Sequence, residues 1–375
     1  MKVLMINSVC GTGSTGRICA ELAQEYERGG HVVKIAYGRD GYVPEHCRSY
    51  AVRIGSDLDV RLHGVLTRLT DRHGFGSASA TRKFLRWADG FDPDMLWLHN
   101  LHGYYINIEL LFRWIKSRPQ MQVKWTLHDC WALTGHCAFF SRVGCERWKH
   151  HCGNCPQKRE YPASLLLDGS RHNHEKKKKL FTGIRDLTLI TPSYWLKELV
   201  EQSFLKEYPV EVVYHGIDRD IFRPMTSDFR RRHGLEEKRI LLGVASTWEK
   251  RKGLEDFLSL AAMLDDRYRI VLVGLRPDQM QQLPANVLAL PRTNNPQELA
   301  EIYSSADLFL NPSREETFGM TTLEAIACGT KAVVYRDTAC QEIAEAYGGI
   351  AVPQGEAHLY EAVCRHFEEA EEIHG

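Results

Sequence analysis

Short apolar runs recur along this chain, and stretches of helical period lie between them. KVLMIN (2–7), HVVKIAY (31–37), MLWLHN (95–100), VKWTLHD (123–129), LTLITPS (187–193) and VEVVYHG (210–216) form a first series. RILLGVAS (239–246), RIVLVG (269–274), VLALP (287–291), LFLNPS (308–313) and KAVVYR (331–336) form a second. Unbroken apolar runs of strand length suit strands covered on both faces, and such strands need helical crossovers between them. The alternation therefore predicts α/β architecture with parallel sheets, wound twice. With 375 residues the chain is long enough for two such domains, each with its own core. The expected division is 1–216, a linker at 217–226 (IDRDIFRPMT), 227–354, and a closing helix over 355–375 that packs back toward the N-terminal domain.

Charge excludes one class of partner. Lys plus Arg and Asp plus Glu number 48 each, so no global field recruits nucleic acid. No apolar run reaches the length of a membrane span, and the N-terminus reads as a strand entering glycines rather than a signal peptide. The expectation is a cytoplasmic chain with reduced cysteines. Its basic run Lys176 to Lys179, with Arg171, is a candidate contact for the inner face of the cytoplasmic membrane, and equally a solvated helix face.

VCGTGSTGRI (9–18) carries Gly11-x-Gly13-x-x-Gly16 between a strand and a helix. Glycines there let backbone approach a phosphate, and the helix N-terminus favours the negative charge. A nicotinamide site would also want an acid at the end of the second strand. That strand ends Tyr37-Gly38, and Asp40 lies just beyond, which is a poor fit. In open parallel sheets ligands sit beyond the carboxyl ends of the strands. By that rule the candidates are the glycine loop, His99-Asn100-Leu101-His102, His128-Asp129, Ser193, His215-Gly216, Ser246 to Lys252, and Asn311 to Gly319.

NPSREETFGMTTLEAIACG (311–329) spaces two glutamates as Glu316-x7-Glu324 around Phe318-Gly319. Thr321 and Thr322 read as caps of a helix whose free N–H groups suit a diphosphate, with Glu324 in the first turn. This stretch, with YHGID (214–218), RKG (251–253) and TPSYWL (191–196), resembles the retaining family 4 glycosyltransferases of GT-B fold. LHNLHGYYIN and TLHDCWALTGHC are similar to a bacterial subgroup that builds capsule, exopolysaccharide or O-antigen. The resemblance implies two Rossmann-like domains with a cleft between them and transfer of a sugar from a nucleoside diphosphate sugar, a UDP-sugar by preference. It implies a glycan or polyprenyl-diphosphate-linked acceptor and no cofactor for catalysis.

The same resemblance implies roles. His128, Glu316 and Lys252 are the catalytic candidates. Gly13, Gly16, Ser193, His215, Arg251, Phe318, Gly319, Met320, Thr321 and Glu324 would bind the donor. His99, Asn100, His102 and Asp129 would lie on the acceptor side. The family's GR-x4-KG pattern is replaced here by GVASTWEKRKG, so either Arg251 stands in for the usual arginine or the phosphate grip is weaker than in the family. Lys252, read as an exposed lysine, should matter for the leaving group and little for stability. A sugar-nucleotide epimerase and a non-catalytic partner subunit remain the rival readings.

GHCAFFSRVGCERWKHHCGNCPQ (135–157) gathers Cys137, Cys145, Cys152 and Cys155, closing on C-x2-C. Four thiolates so spaced can surround a structural Zn(II), with His136, His150 and His151 as spare ligands. Reduced thiols or a disulfide pair are the alternatives.

Overall fold

The computed structural model describes residues 1–281, 283–293 and 295–374. It divides the chain into two units, Met1–Val213 and Tyr214–Gly375.

The first unit is built on β1 (Lys2–Ile6), β2 (Val32–Tyr37), β3 (Ala51–Arg53), β4 (Met95–Leu98), β5 (Gln122–Thr126), β6 (Leu187–Thr191) and β7 (Val210–Val212). Its helices are α1 (Gly13–Arg28), α2 (Asp57–Thr70), α3 (Ala78–Phe91), α4 (Ile108–Lys116), α5 (Ser170–Phe181) and α6 (Tyr194–Glu201). The strands form one seven-stranded sheet in the order β3-β2-β1-β4-β5-β6-β7. The central pairing is parallel and sets Val3 beside Met95 and Ile6 beside Leu98. One face packs Phe112, Trp125 and Phe181 in mutual ring contact, and the other covers Val3, Met5 and Ile35 with α1.

The second unit repeats the scheme. It contains α7 (Phe229–His233), β8 (Arg239–Val244), α8 (Leu254–Met263), β9 (Tyr268–Val273), β10 (Val287–Leu290), α9 (Pro296–Ser304) and β11 (Leu308–Asn311). Then follow α10 (Met320–Ala327), β12 (Ala332–Tyr335), α11 (Ala339–Ala346), β13 (Ile350–Val352) and α12 (Glu356–His374). Its sheet runs β10-β9-β8-β11-β12-β13. The closing helix α12 places Leu359, Ala362, Val363 and Phe367 in the core of this second unit.

Strand order reverses between β1 and β4 in one sheet and between β8 and β11 in the other, so a crevice opens at the carboxyl end of each pair. The glycine loop, His99 and His128 stand at or beside the first switch point, and Lys252 and Glu316 at the second.

Candidate active site

In the second unit β11 ends at Asn311, whose side chain folds back to accept from Ser313 Oγ at 2.6 Å. The loop then runs to Gly319, which caps α10 at φ +93°. A Cβ there would stand 2.8 Å from Cys340 Sγ, so the turn needs glycine for both space and conformation. This corrects the expected capping threonines. Thr322 is buried, and its Oγ1 accepts from Asn311 Nδ2 at 3.0 Å instead of capping the helix. With α10 beginning at Met320, Glu324 falls in the second turn rather than the first.

The basic loop arrives from the neighbouring strand. Gly253, at φ +72°, precedes α8, and a Cβ there would stand 2.4 Å from Pro312 O. That close approach brings residues 250–252 against the end of β11. Lys252 Nζ pairs directly with Glu316 Oε2. Arg251 Nη1 lies 3.8 Å from the same oxygen and donates to Glu315 O at 3.1 Å. Both Lys252 and Glu316 side chains are only 17% exposed, so Lys252 is a covered, paired lysine and not the exposed one the sequence suggested. Burial pushes the Glu316 carboxyl up, but Lys252 and Arg251 outweigh it and hold the group below its ordinary value. Glu316 is therefore an anion at neutral pH, flanked by two cations.

Glu324 Oε2 accepts from Tyr303 Oη at 2.9 Å. Tyr303, on α9, is fully buried, and burial with the adjacent Glu324 pushes its hydroxyl far above the usual tyrosine range. It is a permanent donor that fixes the carboxylate. No local pattern marks Tyr303, and only the packing of α9 on α10 reveals it. Phe318 is buried against His215 with ring centroids 5.0 Å apart, and burial lowers His215 to about 4, so its ring is neutral. Met320 and Thr321 open the first turn of α10, where the helix dipole favours an anion.

In the first unit Asn7 organises the glycine loop. Its Nδ2 donates to Val9 O at 2.9 Å and Thr15 Oγ1 at 3.3 Å, while its Oδ1 accepts from Asn100 N at 3.2 Å. A Cβ on Gly16 would crowd Val9 Cγ2 at 3.0 Å and Gly11 N at 3.2 Å, whereas one on Gly13, at φ +63°, would meet nothing within 4 Å. Asn7 is absent from the strand-end candidates above, although a polar residue directly after β1 is the signal that marks it. Ser193 is fully buried, and its Oγ accepts from Leu196 N at 3.2 Å as the cap of α6.

Two pairs form at the ends of β4 and β5. His99 Nδ1 lies 3.1 Å from His128 Nε2, with the rings stacked at 18°. One of these nitrogens must donate and the other accept, so the bond holds a single proton. His102 Nε2 lies 2.6 Å from Asp129 Oδ2, and His102 Nδ1 lies 3.0 Å from Tyr161 Oη. Burial raises Asp129, but His102 and the Trp131 amide at 2.9 Å win, so the carboxyl stays ionised below its usual range. The expected acceptor residues thus divide, with His99 joining His128 and His102 joining Asp129. Tyr161 lay in a segment without periodicity.

The cysteine loop follows. Cys137, Cys145, Cys152 and Cys155 all line one small cavity together with His136, and none forms a disulfide. The hydrogen bond from Cys137 lowers Cys155 to about 7, and Cys152 Sγ accepts from Gly135 N at 3.3 Å. Buried His136 pairs through Nδ1 with Asp71, and its Nε2 has no hydrogen-bond partner. Among the described residues no group of three or more His, Cys, Asp or Glu stands in an arrangement that would hold an ion. Behind the loop Lys177 is buried, donating to Trp131 O at 2.7 Å and Thr134 O at 3.0 Å, and Lys176 pairs with Glu109. The run Lys176 to Lys179 is therefore not the continuous basic surface it resembles in sequence.

The family model described as Glycosyltransferase Family 4 matches residues 15–221, and that for Glycosyl transferases group 1 matches 225–374. A putative colanic acid biosynthesis glycosyl transferase WcaC of Escherichia coli K12 is 23% identical over 95% of this chain and 88% of its own length. A D-inositol 3-phosphate glycosyltransferase of Corynebacterium jeikeium is 26% identical, over 57% of this chain and 53% of its own. Sucrose-phosphate synthase from Thermosynechococcus elongatus superposes with a TM-score of 0.70 at 18% identity, covering 97% of this chain and 89% of that one. Anabaena Alr3699/HepE in complex with UDP and glucose gives 0.67 at 16%, covering 99% and 91%. With its two parallel-sheet Rossmann-like units, the chain belongs to glycosyltransferase family 4 and is a glycosyltransferase of GT-B type.

Proposed function

We propose that this protein transfers a sugar from a nucleoside diphosphate sugar, UDP-sugar preferred, with retention of anomeric configuration. The acceptor is a glycan or a polyprenyl-diphosphate-linked glycan of a surface polysaccharide, met at the inner face of the cytoplasmic membrane. One observation carries the reading: Lys252 and Arg251 converge on Glu316 in the loop that leads into α10, and α10 carries in its second turn a carboxylate, Glu324, held by a buried tyrosine. The colanic acid relative favours the polysaccharide setting, and the UDP complex of a fold relative favours the nucleotide.

The chemistry follows from charge. As the C1–O bond to the diphosphate breaks, negative charge grows on the leaving oxygens and positive charge on the sugar ring. Lys252, Arg251 and the α10 dipole stabilise the first, and ionised Glu316 faces the second. The acceptor hydroxyl attacks C1 from the face the phosphate leaves. Its proton passes to the departing phosphate oxygen, so no protein base is required. His128 serves the sugar, while His102 and Asp129 orient the acceptor. Incubation with a panel of UDP-, GDP- and TDP-sugars, with product anomers read by NMR, tests this. An inverted product removes the retaining mechanism, and sugar epimerisation without an acceptor points to an epimerase.

Glu324 accepts from the ribose hydroxyls. Glu324→Ala should weaken nucleotide binding by about 1–3 kcal/mol, the worth of hydrogen bonds to a charged group. Calorimetry with UDP measures this, and unchanged affinity would remove Glu324 from the site.

We also propose that Cys137, Cys145, Cys152 and Cys155 draw together around a structural Zn(II), in a cavity that His136 also lines. Untagged protein analysed by plasma mass spectrometry should carry close to one zinc per chain, and Cys152→Ser should lose it. Freely titrating thiols without zinc would end this proposal.

A further inference from the structure

Helix α8 buries a carboxylate, Asp256, in its first turn, where it is only 3% exposed. An acid at the start of a helix commonly turns back to the free amides there. This one reaches out of the helix instead, and its Oδ1 accepts from Arg314 Nη2 at 2.7 Å. Its Oδ2 makes no well-formed hydrogen bond, and the Tyr335 hydroxyl is only loosely placed to supply one. Burial pushes the Asp256 carboxyl up, and Arg314 offsets only part of that. A buried ion pair left with an unsatisfied oxygen is a poor source of stability, because desolvation consumes the Coulombic gain. What such a pair can fix is geometry.

The two partners stand on the two segments that carry the charges of the site. Arg314 lies two residues before Glu316, and Asp256 four residues after Lys252. Arg314 N donates to Arg251 O at 2.8 Å, and Arg251 Nη1 donates back to Glu315 O at 3.1 Å. Residues 250–252 and 314–316 are thus laced together, and the Asp256–Arg314 pair ties the lacing to a helix. Neither charged residue of the site has a long regular element of its own. Lys252 closes a single short turn, and Glu316 lies in the loop between β11 and α10.

We propose that Asp256 and Arg314 are positioning residues, whose ion pair holds Lys252 and Glu316 in register for the leaving diphosphate and the sugar. The proposal deepens the transferase reading and rests on it. Both residues act through Lys252 and Glu316 rather than on the reacting atoms.

The test separates register from stability. In Asp256→Leu/Arg314→Met the pair gives way to apolar side chains, a change that is often neutral for stability. Four quantities are read on the same samples: Tm, the Kd for UDP, kcat with the UDP-sugar selected by the donor panel, and acylation of Lys252 by acetic anhydride. Acylation is mapped by mass spectrometry against the lysines of the first unit. The double variant should keep a Tm near wild type and acylate Lys252 severalfold faster. It should lose about tenfold to a hundredfold in kcat, the cost of a misplacement near an ångström, with a much smaller change in the Kd for UDP. Arg314→Lys, which can still reach Asp256, should keep most of the turnover. Arg314→Gln, at a side chain already 34% exposed, reads the same effects if the double variant folds poorly. Unchanged acylation of Lys252, or full kcat, in the variants that break the pair overturns the proposal. So does a loss of kcat that only follows Tm and that Arg314→Lys does not spare. Faster acylation of Lys252 with no donor turned over by wild type leaves the tie standing and rejects the transferase reading.

Discussion

Replacing Lys252 by alanine should lower kcat by about 10²–10³-fold, a loss typical of removing one preorganised group that stabilises transition-state charge. The Kd for the nucleotide sugar should rise by a much smaller factor. The asymmetry arises because the leaving diphosphate gains charge only as the bond breaks, so the cation helps the transition state more than the ground state. Arg251 remains 3.8 Å from Glu316 and preserves part of the ground-state grip. The pH profile supplies an independent reading. Lys252 is a principal cause of the lowered Glu316 pKa, so its loss lets that pKa rise, and the acid limb of kcat/KM should move to higher pH. Since Lys252 is mostly covered and paired, Lys252→Ala should also lower Tm, and kinetics belong well below the transition. Activity should persist in EDTA mild enough to leave the cysteine loop intact. Full turnover in Lys252→Ala, or a requirement for added magnesium, would refute this account of the leaving group.

Asp71→Ala should cost about 3–5 kcal/mol, the range for breaking a buried ion pair by removing one partner. Asp71 is fully buried and holds three things at once: His136, Gly169 N at 2.8 Å, and through its carbonyl Asn173 Nδ2 at 2.5 Å. Burial lowers the His136 pKa, but the bond and charge of Asp71 more than restore it, so it lies above 6.5 when folded. The pair's contribution is therefore complete below 6.5 and is lost as pH rises through the folded value. Urea midpoints should separate wild type from Asp71→Ala most at mildly acid pH and less at alkaline pH. Asp71→Asn, which keeps a hydrogen-bonding side chain at this left-handed position, should cost less. A gap that does not change with pH would show that His136 stays neutral in the fold.

Much of this was legible. Parallel strands are read from apolar runs because both faces are covered, and every run quoted above contains a strand. Glu316, Lys252 and Gly319 are candidates in the sequence because each follows a strand end, and the structure pairs Lys252 with Glu316 and sets Gly319 at the head of α10. What escaped has one of two physical causes. Helix α2 carries a regular apolar stripe, Leu58, Leu62, Val65 and Leu69, but exposes it and buries His63 and Thr67, so the rule that the apolar face marks the core fails there. Tyr303, Tyr161 and Asp71 act through contacts distant in sequence. Lys177 shows the same limit from the other side, since a run of lysines reads as surface although one of them is interior.

The two units occupy unbroken segments, 1–213 and 214–375, and among the described residues no strand of either sheet is borrowed from the other segment. During synthesis every strand of the first sheet has therefore been made before the second sheet begins. At about 5–20 residues per second, the ribosome needs roughly eight to thirty seconds more to make the second segment. The first unit has that interval in which to close its sheet, with its apolar edges paired before a second set of similar strands appears beside them. Division of the chain into consecutive segments thus limits mispairing between two sheets built from the same kind of sequence.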